Sequence, residues 1–387
     1  VKILMVIGEF HPVIGGAQRQ CLKLSKELIA RGHTVNVVTV WNPRNVQQKE
    51  EVEGVSVFRV WYPPGLGFLA PLTMFYQVLR SVNRFDCIHV HQALWPAAIA
   101  VMVGKFLTKP VIVKIGNAGE RFDLRMLARD HWFGPFASRL LIRSTRMFVA
   151  TSGAVATDLG SAGIPRDRIS FIPNGVNSVS STRQVSGAKP IVRFIFVGSL
   201  TPKKNLSALV RAMALLKPHL QRQCELLIVG DGPDRSTLVH IQDAFGLHTR
   251  VRLIGERQDV TALLKESTVF ILPSFTEGLS NAALEAMSCA LPIIVSARGG
   301  NIDLVELSGL AENHGERTIG TNGLLLNRID PESISSALEW MLDHQERLLP
   351  MGNRSREIIH ERFTIERAVS DYERLYEQCC SPADIPR

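Results

Sequence analysis

At 387 residues, 45% hydrophobic and 21% charged, the chain is long for a single hydrophobic core and comfortable for two. With Gly 29, Pro 20 and no low-complexity tract, it falls outside the fibrous and disordered classes. The net charge of +8 sits in one half: residues 1–180 hold 21 Lys and Arg against 11 Asp and Glu, and residues 181–387 hold 23 against 25, so the first half either meets an anionic surface or substrate or is merely kept soluble.

Lys2–Ile7 is a continuous apolar run of buried-strand type, and its end at Gly8-Glu9 argues against a signal peptide. Ala17–Arg31 places Leu22, Leu24, Leu28 and Ile29 at helical spacing, stopped by Gly32. His33–Val40, Cys87–His91, Val111–Ile115, Met147–Ala150 and Ile169–Ile172 read as strands. The apolar stretch Ala93–Gly104 has 12 residues and contains Pro96, too short to span a bilayer, so the protein is expected to be cytoplasmic and at most peripheral to a membrane. After a polar stretch, Ser178–Pro190, the alternation restarts with strands at Ile191–Val197, Glu225–Val229, Val251–Ile254, Val269–Leu272 and Ile293–Ser296, and helices at Leu206–Leu216 and Ala282–Ser288. Ile365–Gln378 carries Ala368, Tyr372, Leu375 and Tyr376 at helical spacing.

Strands alternating with helices imply parallel sheets and an α/β class of two doubly wound, Rossmann-like domains. The expected divisions are 1–180, 181–363, and a 364–387 helix returning to the first domain. Ligands of such sheets sit at the carboxyl ends of strands, here expected in a cleft between the domains.

The six cysteines form no C-x-x-C pair and have no zinc spacing, and read as buried hydrophobes or surface thiols of a reducing compartment. His89 and His91 share one face of a strand but lack a third ligand, so a strand-end role suits them better than a metal. No Ser-His-Asp arrangement is evident.

The stretch most suited to chemistry is Leu272–Ser288. A strand ends, a loop with Glu277 and Gly278 follows, and Ser280 or Asn281 can cap a helix whose free N–H groups and dipole suit a diphosphate. Glu277 can accept from a polyhydroxylated ligand, and Glu285, about a turn inside the helix, from a ribose pair. On spacing alone the plainer alternative, a loop charge and an exposed helix residue, is the stronger. Arg121–Arg146 holds six arginines among Phe122, Trp132, Phe133 and Phe136, as one or two basic helices broken at Gly134-Pro135. It suits an anionic membrane surface and a lipid-linked acceptor, or else an ordinary helix pair with its aromatics in the core.

The Glu-x7-Glu stretch, with Pro273 before it and Ala290-Leu291-Pro292 after it, resembles the signature of the family-four retaining glycosyltransferases of GT-B fold. Gly15-Gly16-Ala17 is similar to that family's first loop, Ile172–Val176 to its domain-joining motif, and Phe196–Leu200 with Lys203-Lys204-Asn205 to its donor-phosphate loop. Leu227–Pro233, Val251–Gly255, Gly299-Gly300 and Asn322–Leu324 follow in order. The resemblance implies that Glu277 contacts the donor sugar, that Gly278, Leu279 and Ser280 hold sugar and phosphate, and that Glu285 binds the ribose. Lys204, with Lys203 and the loop Gly198-Ser199, would neutralise the diphosphate leaving group without a metal or other cofactor. Gly16 would let backbone approach the phosphates, and the loop from Gly255-Glu256 to Asp259 would lie near the base. The donor would be a UDP- or GDP-linked sugar, transferred with retention to a hydroxyl of a lipid-linked or other glycan. Two positions depart from the family: Ser199 where Arg is common, and Gly116 where a His is common. His91, Gly116 and Asn117 are therefore only candidates for the acceptor side.

Three other readings remain. A nucleotide-sugar 2-epimerase shares the architecture and would release a free epimer. A binding subunit without turnover would fit Ser199 and Gly116. A nicotinamide dehydrogenase lacks its G-x-G-x-x-G loop here. No nucleic-acid-binding signature appears.

Overall fold

The computed structural model describes residues 1–13, 15–40, 47–62, 66–130, 133–179, 191–307 and 312–381. The expected 180/181 division, most of the Ser178–Pro190 stretch, Trp132 and the last residues of the expected C-terminal segment lie outside the described residues. The chain forms two compact units, one of Val1–Gly175 with Ile365–Arg387 and the other of Val176–Thr364.

In the first unit the elements run β1 (Lys2–Ile7), α1 (Gly16–Ala30), β2 (Thr34–Val40), β3 (Lys49–Val52), β4 (Val55–Val60), α2 (Ala70–Val82), β5 (Cys87–His91) and α3 (Trp95–Phe106). There follow β6 (Val111–Ile115), α4 (Asp123–Asp130), α5 (Gly134–Ser144), β7 (Met147–Ala150), α6 (Gly153–Ser161) and β8 (Ile169–Phe171). The sheet order is β3-β4-β2-β1-β5-β6-β7-β8, parallel except where β3 meets β4. Its central strands are largely apolar because both faces are covered, with Asn36, His89, His91 and Lys114 among the polar exceptions. Leu4, Val6, Val38, Val90 and Val113 face one layer, with α2 and α3 residues Met74, Val78, Ala97 and Val101. Ile3, Met5, Ile7, Val35 and Ile112 face the other, with Cys21, Leu24 and Leu28 of α1.

The expected all-parallel pattern fails at β3. Glu53 and Gly54 both take positive φ, 48° and 85°, which makes the two-residue hairpin turn whose twist matches paired strands. Glu-Gly is not among the usual signals for that turn, so the hairpin is invisible in the sequence. Pro96 sits in the first turn of α3, where its missing N–H costs no helical bond. Gly134 and Pro135 begin α5 rather than merely interrupting a basic helix. Phe122 is buried, Phe133 packs partly against the core, and Phe136 is exposed.

The second unit runs β9 (Val192–Val197), α7 (Leu206–Leu215), α8 (Pro218–Gln221), β10 (Cys224–Val229), α9 (Arg235–Ala244), β11 (Val251–Gly255), α10 (Val260–Glu266) and β12 (Val269–Leu272). It continues through α11 (Asn281–Ser288), β13 (Ile293–Ser296), β14 (Glu312–Asn313), β15 (Arg317–Ile319), β16 (Gly323–Leu326), α12 (Pro331–Asp343) and α13 (Gln345–Arg362). Its sheet order is β11-β10-β9-β12-β13-β16-β15-β14, again with an antiparallel edge, β14 to β16. A last helix, α14 (Ile365–Cys380), belongs to the first unit, where Tyr372 and Tyr376 are buried and Glu373 ion-pairs Arg31 at 2.7 Å. Among the described residues no helix is long and apolar enough to cross a membrane. Cys21, Cys87, Cys224, Cys289 and Cys379 are buried, and Cys380 is half-buried.

Candidate functional site

In the second unit the chain leaves β9 toward β10 on one side and returns in β12 on the other. That places a topological switch point between two neighbouring strand ends, the position where such sheets hold ligands. Two loops flank it, Gly198–Asn205 after β9 and Pro273–Ser280 after β12. They are tied together by the Phe275 N–H donating to the Lys203 carbonyl at 2.8 Å. Asn205 holds φ 56° and donates to the Ile329 carbonyl at 2.8 Å, fixing the end of the short helical turn that carries Lys203 and Lys204. From that turn the Lys204 ammonium donates to the Glu277 carboxylate, and both side chains are about one-tenth exposed (11% and 10%). The sequence separates these residues by 73 positions, and the tied loops bring them into contact.

Gly278, Leu279 and Ser280 are buried, and the Ser280 hydroxyl accepts from the Ala283 N–H at 3.3 Å as the cap of α11. Glu285 is half-buried one turn into that helix. The helix start therefore lies beside the Lys204–Glu277 pair, with its partial positive end available to an anion. Glycines allow the close approach of neighbouring strand ends. A Cβ at Gly299 would stand 2.0 Å from the Glu277 carbonyl oxygen, and one at Gly230 would stand 2.0 Å from that of Gly198. Ser199 is exposed, and so is Glu256, which follows Gly255 at the end of β11, two strands from β9.

In the first unit the order reverses between β1 and β5, again a switch point. Gly16 opens α1 just after β1, with Gly15 extended at the cap position. Gly116 and Asn117 follow β6 and are organised by Asp123, which composition and spacing did not single out. Its buried carboxylate accepts from the Gly116 N–H at 2.9 Å, from Asn117 Nδ2 at 2.8 Å and from the Ala93 N–H at 3.3 Å. Burial raises its pKa, while those donors hold it down. A Cβ at Gly116 would meet Gln92 Cγ at 3.5 Å, ordinary contact, so a side chain there is sterically admissible.

His91 is 2% exposed and stacks on His89 at 4.5 Å between ring centroids. His89 Nδ1 pairs with the Tyr376 hydroxyl at 2.7 Å, and Lys114 Nζ lies 5.7 Å from the Tyr372 ring centroid. Desolvation pushes His89 down to about 3, His91 well below its usual value, and Lys114 down to about 8. Both imidazoles are thus neutral, buried groups under α1 and α14. Because the unfolded chain binds the Lys114 proton up to 10.5 and the folded chain only to about 8, folding stability rises with pH across that window. Lys114→Met is expected to stabilise the protein by about 2–3 kcal/mol near pH 7, an advantage gone above pH 10.5. Melting curves from pH 6 upward test this; a destabilised variant at neutral pH would refute it.

The description "Glycosyl transferases group 1" matches residues 182–358, and "Glycosyltransferase Family 4" matches residues 14–179. An Escherichia coli UDP-Gal:alpha-D-GlcNAc-diphosphoundecaprenol alpha-1,3-galactosyltransferase is 33% identical over 322 residues, 79% of this chain and 78% of that protein. A Bacillus anthracis N-acetyl-alpha-D-glucosaminyl L-malate synthase is 26% identical across 95% of this chain and 94% of its own. The crystal structure of Anabaena HepE in complex with UDP aligns with TM-score 0.77 at 20% identity, covering 98% of this chain and 100% of that one, a likeness of GT-B fold.

Proposed function

Because the chain belongs to glycosyltransferase family 4, we propose that it transfers a sugar, with retention, from a UDP- or GDP-linked donor to a hydroxyl of a lipid-linked glycan. The observation that carries this reading is the Lys204–Glu277 pair held at the β9/β12 switch point beside the capped start of α11. A diphosphate seated there takes the Lys204 ammonium and the α11 N–H groups as fixed positive charge. Such charge is worth most in the transition state, when the leaving diphosphate gains a full bond's electron pair. That supplies neutralisation without a metal ion. Glu277, released from Lys204, accepts from donor-sugar hydroxyls, and Glu285 from the ribose pair. The acceptor hydroxyl attacks on the face the diphosphate leaves, and a diphosphate oxygen takes its proton. Cleavage and bond formation on one face give retention without a protein nucleophile. Gly16 and the Gly116-Asn117 loop serve the first unit's share of donor and acceptor binding, with His91 supporting from beneath.

The donor classes are supported by the relatives' names, which include the galactosyltransferase above and a Mycobacterium tuberculosis GDP-mannose-dependent alpha-mannosyltransferase, 27% identical. The lipid-linked acceptor is supported by the same galactosyltransferase and by the exposed Arg121, Arg125, Arg129, Arg139 and Arg143 with Phe136, a surface suited to anionic lipid. The test is a thermal shift with nucleoside diphosphates and nucleotide sugars in EDTA, on wild type and Glu285→Ala. One nucleotide class should raise the melting temperature despite EDTA, and less in the variant. No shift with any member would remove the donor site, and a shift abolished by EDTA would remove its metal independence.

A further inference from the structure

Between α2 and the sheet of the first unit lies a cavity of about 350 Å³, lined by Asn36, Lys49, Ser56, Gln77, Arg80 and Arg84 among others, with no acidic residue in its wall. It sits on the half of the sheet away from the Gly15–Gly16 loop. Asn36 and Ser56, near the starts of β2 and β4, are paired in register, and α2 ends above them. Asn36 interrupts the strand TVNVVTV on the face where Val38 enters the core. Among the described residues its side chain, like those of Ser56, Lys49 and Arg84, has no hydrogen bond or ion pair. Asn36 is half-buried in the cavity wall, a polar amide at a strand position that valine would suit better. Of the neighbouring acids, Glu50 pairs with Arg59, Asp86 accepts from the Lys2 N–H at 2.7 Å, and Glu51, in register with Ser56, is exposed and stands outside the cavity wall.

The outer stripe of α2 gives the second half of the argument. Phe68 just before α2, Leu72, Tyr76 and Arg80 along it and Arg84 just after it recur every four residues, and the three inside the helix share one side of it. Phe68, Leu72 and Tyr76 are 71%, 67% and 59% exposed. The stripe is apolar at its start and cationic at its end, where the cavity opens, and residues 66–146 as a whole hold eleven Lys and Arg against four Asp and Glu. A soluble anion would need the cavity alone. A bilayer of anionic phospholipid matches the whole stripe, with rings at the acyl boundary and phosphate at the cations.

We propose that this cavity seats the phosphate of an anionic phospholipid headgroup, with Arg80, Arg84 and Lys49 as its cations and Asn36 and Ser56 as its uncharged floor, while Phe68, Leu72 and Tyr76 enter the bilayer beside it. The proposal shares the membrane setting of the proposed acceptor but concerns a separate surface of the first unit.

The experiment is sedimentation of the full chain with vesicles of phosphatidylcholine, alone or mixed with phosphatidylglycerol, with the nucleotide thermal shift measured on the same samples. Wild type should prefer the mixed vesicles. Arg80→Ala/Arg84→Ala should weaken that binding about 30-fold, two basic residues at roughly fivefold each. Asn36→Val, which changes no charge and suits a strand, should weaken it about tenfold, the loss of one hydrogen bond to a charged group. The nucleotide shift should be unchanged in every variant. Asn36→Val binding as wild type would overturn the cavity in favour of diffuse attraction. Equal binding to both vesicle types, or saturating soluble glycerol phosphate that displaces the protein fully, would overturn the lipid surface. Absence of a nucleotide shift with vesicle binding intact would count against the donor site only.

Discussion

Replacing Lys204 by Met is expected to lower the rate of sugar transfer about 10²- to 10³-fold, the usual cost of removing one preorganised charge from a developing anion. Two effects combine. The leaving diphosphate loses its fixed cation, and Glu277, only 10% exposed, is left as a half-desolvated carboxylate without its partner. Glu277→Gln removes the second effect, since a neutral amide needs no counter-charge. The Lys204→Met/Glu277→Gln double variant should therefore lose less than the product of the single losses, a coupling of about 1–3 kcal/mol. Initial rates of donor consumption and melting temperatures for the three proteins decide it. If Lys204→Met keeps its rate within about threefold, the diphosphate is not neutralised at this position.

Gly299→Ala should be nearly as damaging although residue 299 offers no side chain to any substrate. Its φ is 56°, and the added methyl would stand 2.0 Å from the Glu277 carbonyl oxygen, which also accepts from the Gly300 N–H at 3.0 Å. Backbone cannot yield as a flexible side chain does, so the loop carrying Glu277 must move. A shift of about 1 Å costs on the order of 10²-fold in rate, beside a stability loss of about 2–4 kcal/mol. Gly246→Ala is the matched control, for it has φ 61° and nothing within 4 Å of the added carbon. It should lose only about 1 kcal/mol through left-handed strain and leave the rate intact. Equal effects from both variants would mean that conformational strain, not proximity to Glu277, dominates at residue 299.

Much of the secondary structure can be read along the chain because central parallel strands announce themselves. Lys2–Ile7, Cys87–His91, Val111–Ile115, Met147–Ala150 and Val269–Leu272 are observed over the same residues that the apolar runs mark. Edges are less legible. β3, β14 and β15 are short, and β3 and β15 are half-solvated, so their sequences carry neither the continuous apolar run nor a clear alternation. Helix α2 escaped for a related reason: Leu72 and Tyr76 are apolar residues on its exposed side, which blurs the stripe that marks a helix by its buried face.

The sequence by itself determined the order of strand, loop and helix and carried the resemblance to the family, because buried strands and capped helices are written in local residue patterns. It placed Glu277, Gly278, Ser280 and Glu285 at one strand-to-helix turn, since those residues are neighbours. Only the tertiary structure decided which charges meet. Lys204 reaches Glu277 because β9 and β12 are adjacent in the sheet though separated in the chain, and Gly299 is confined because a third strand end crowds the same loop. The burial of His91, the anchoring of Gly116 by Asp123 and the lining of one cavity by both Asn36 and Arg84 are likewise products of packing between distant segments. Contacts of that kind depend on which elements the sheet order makes neighbours, and no local pattern encodes that order.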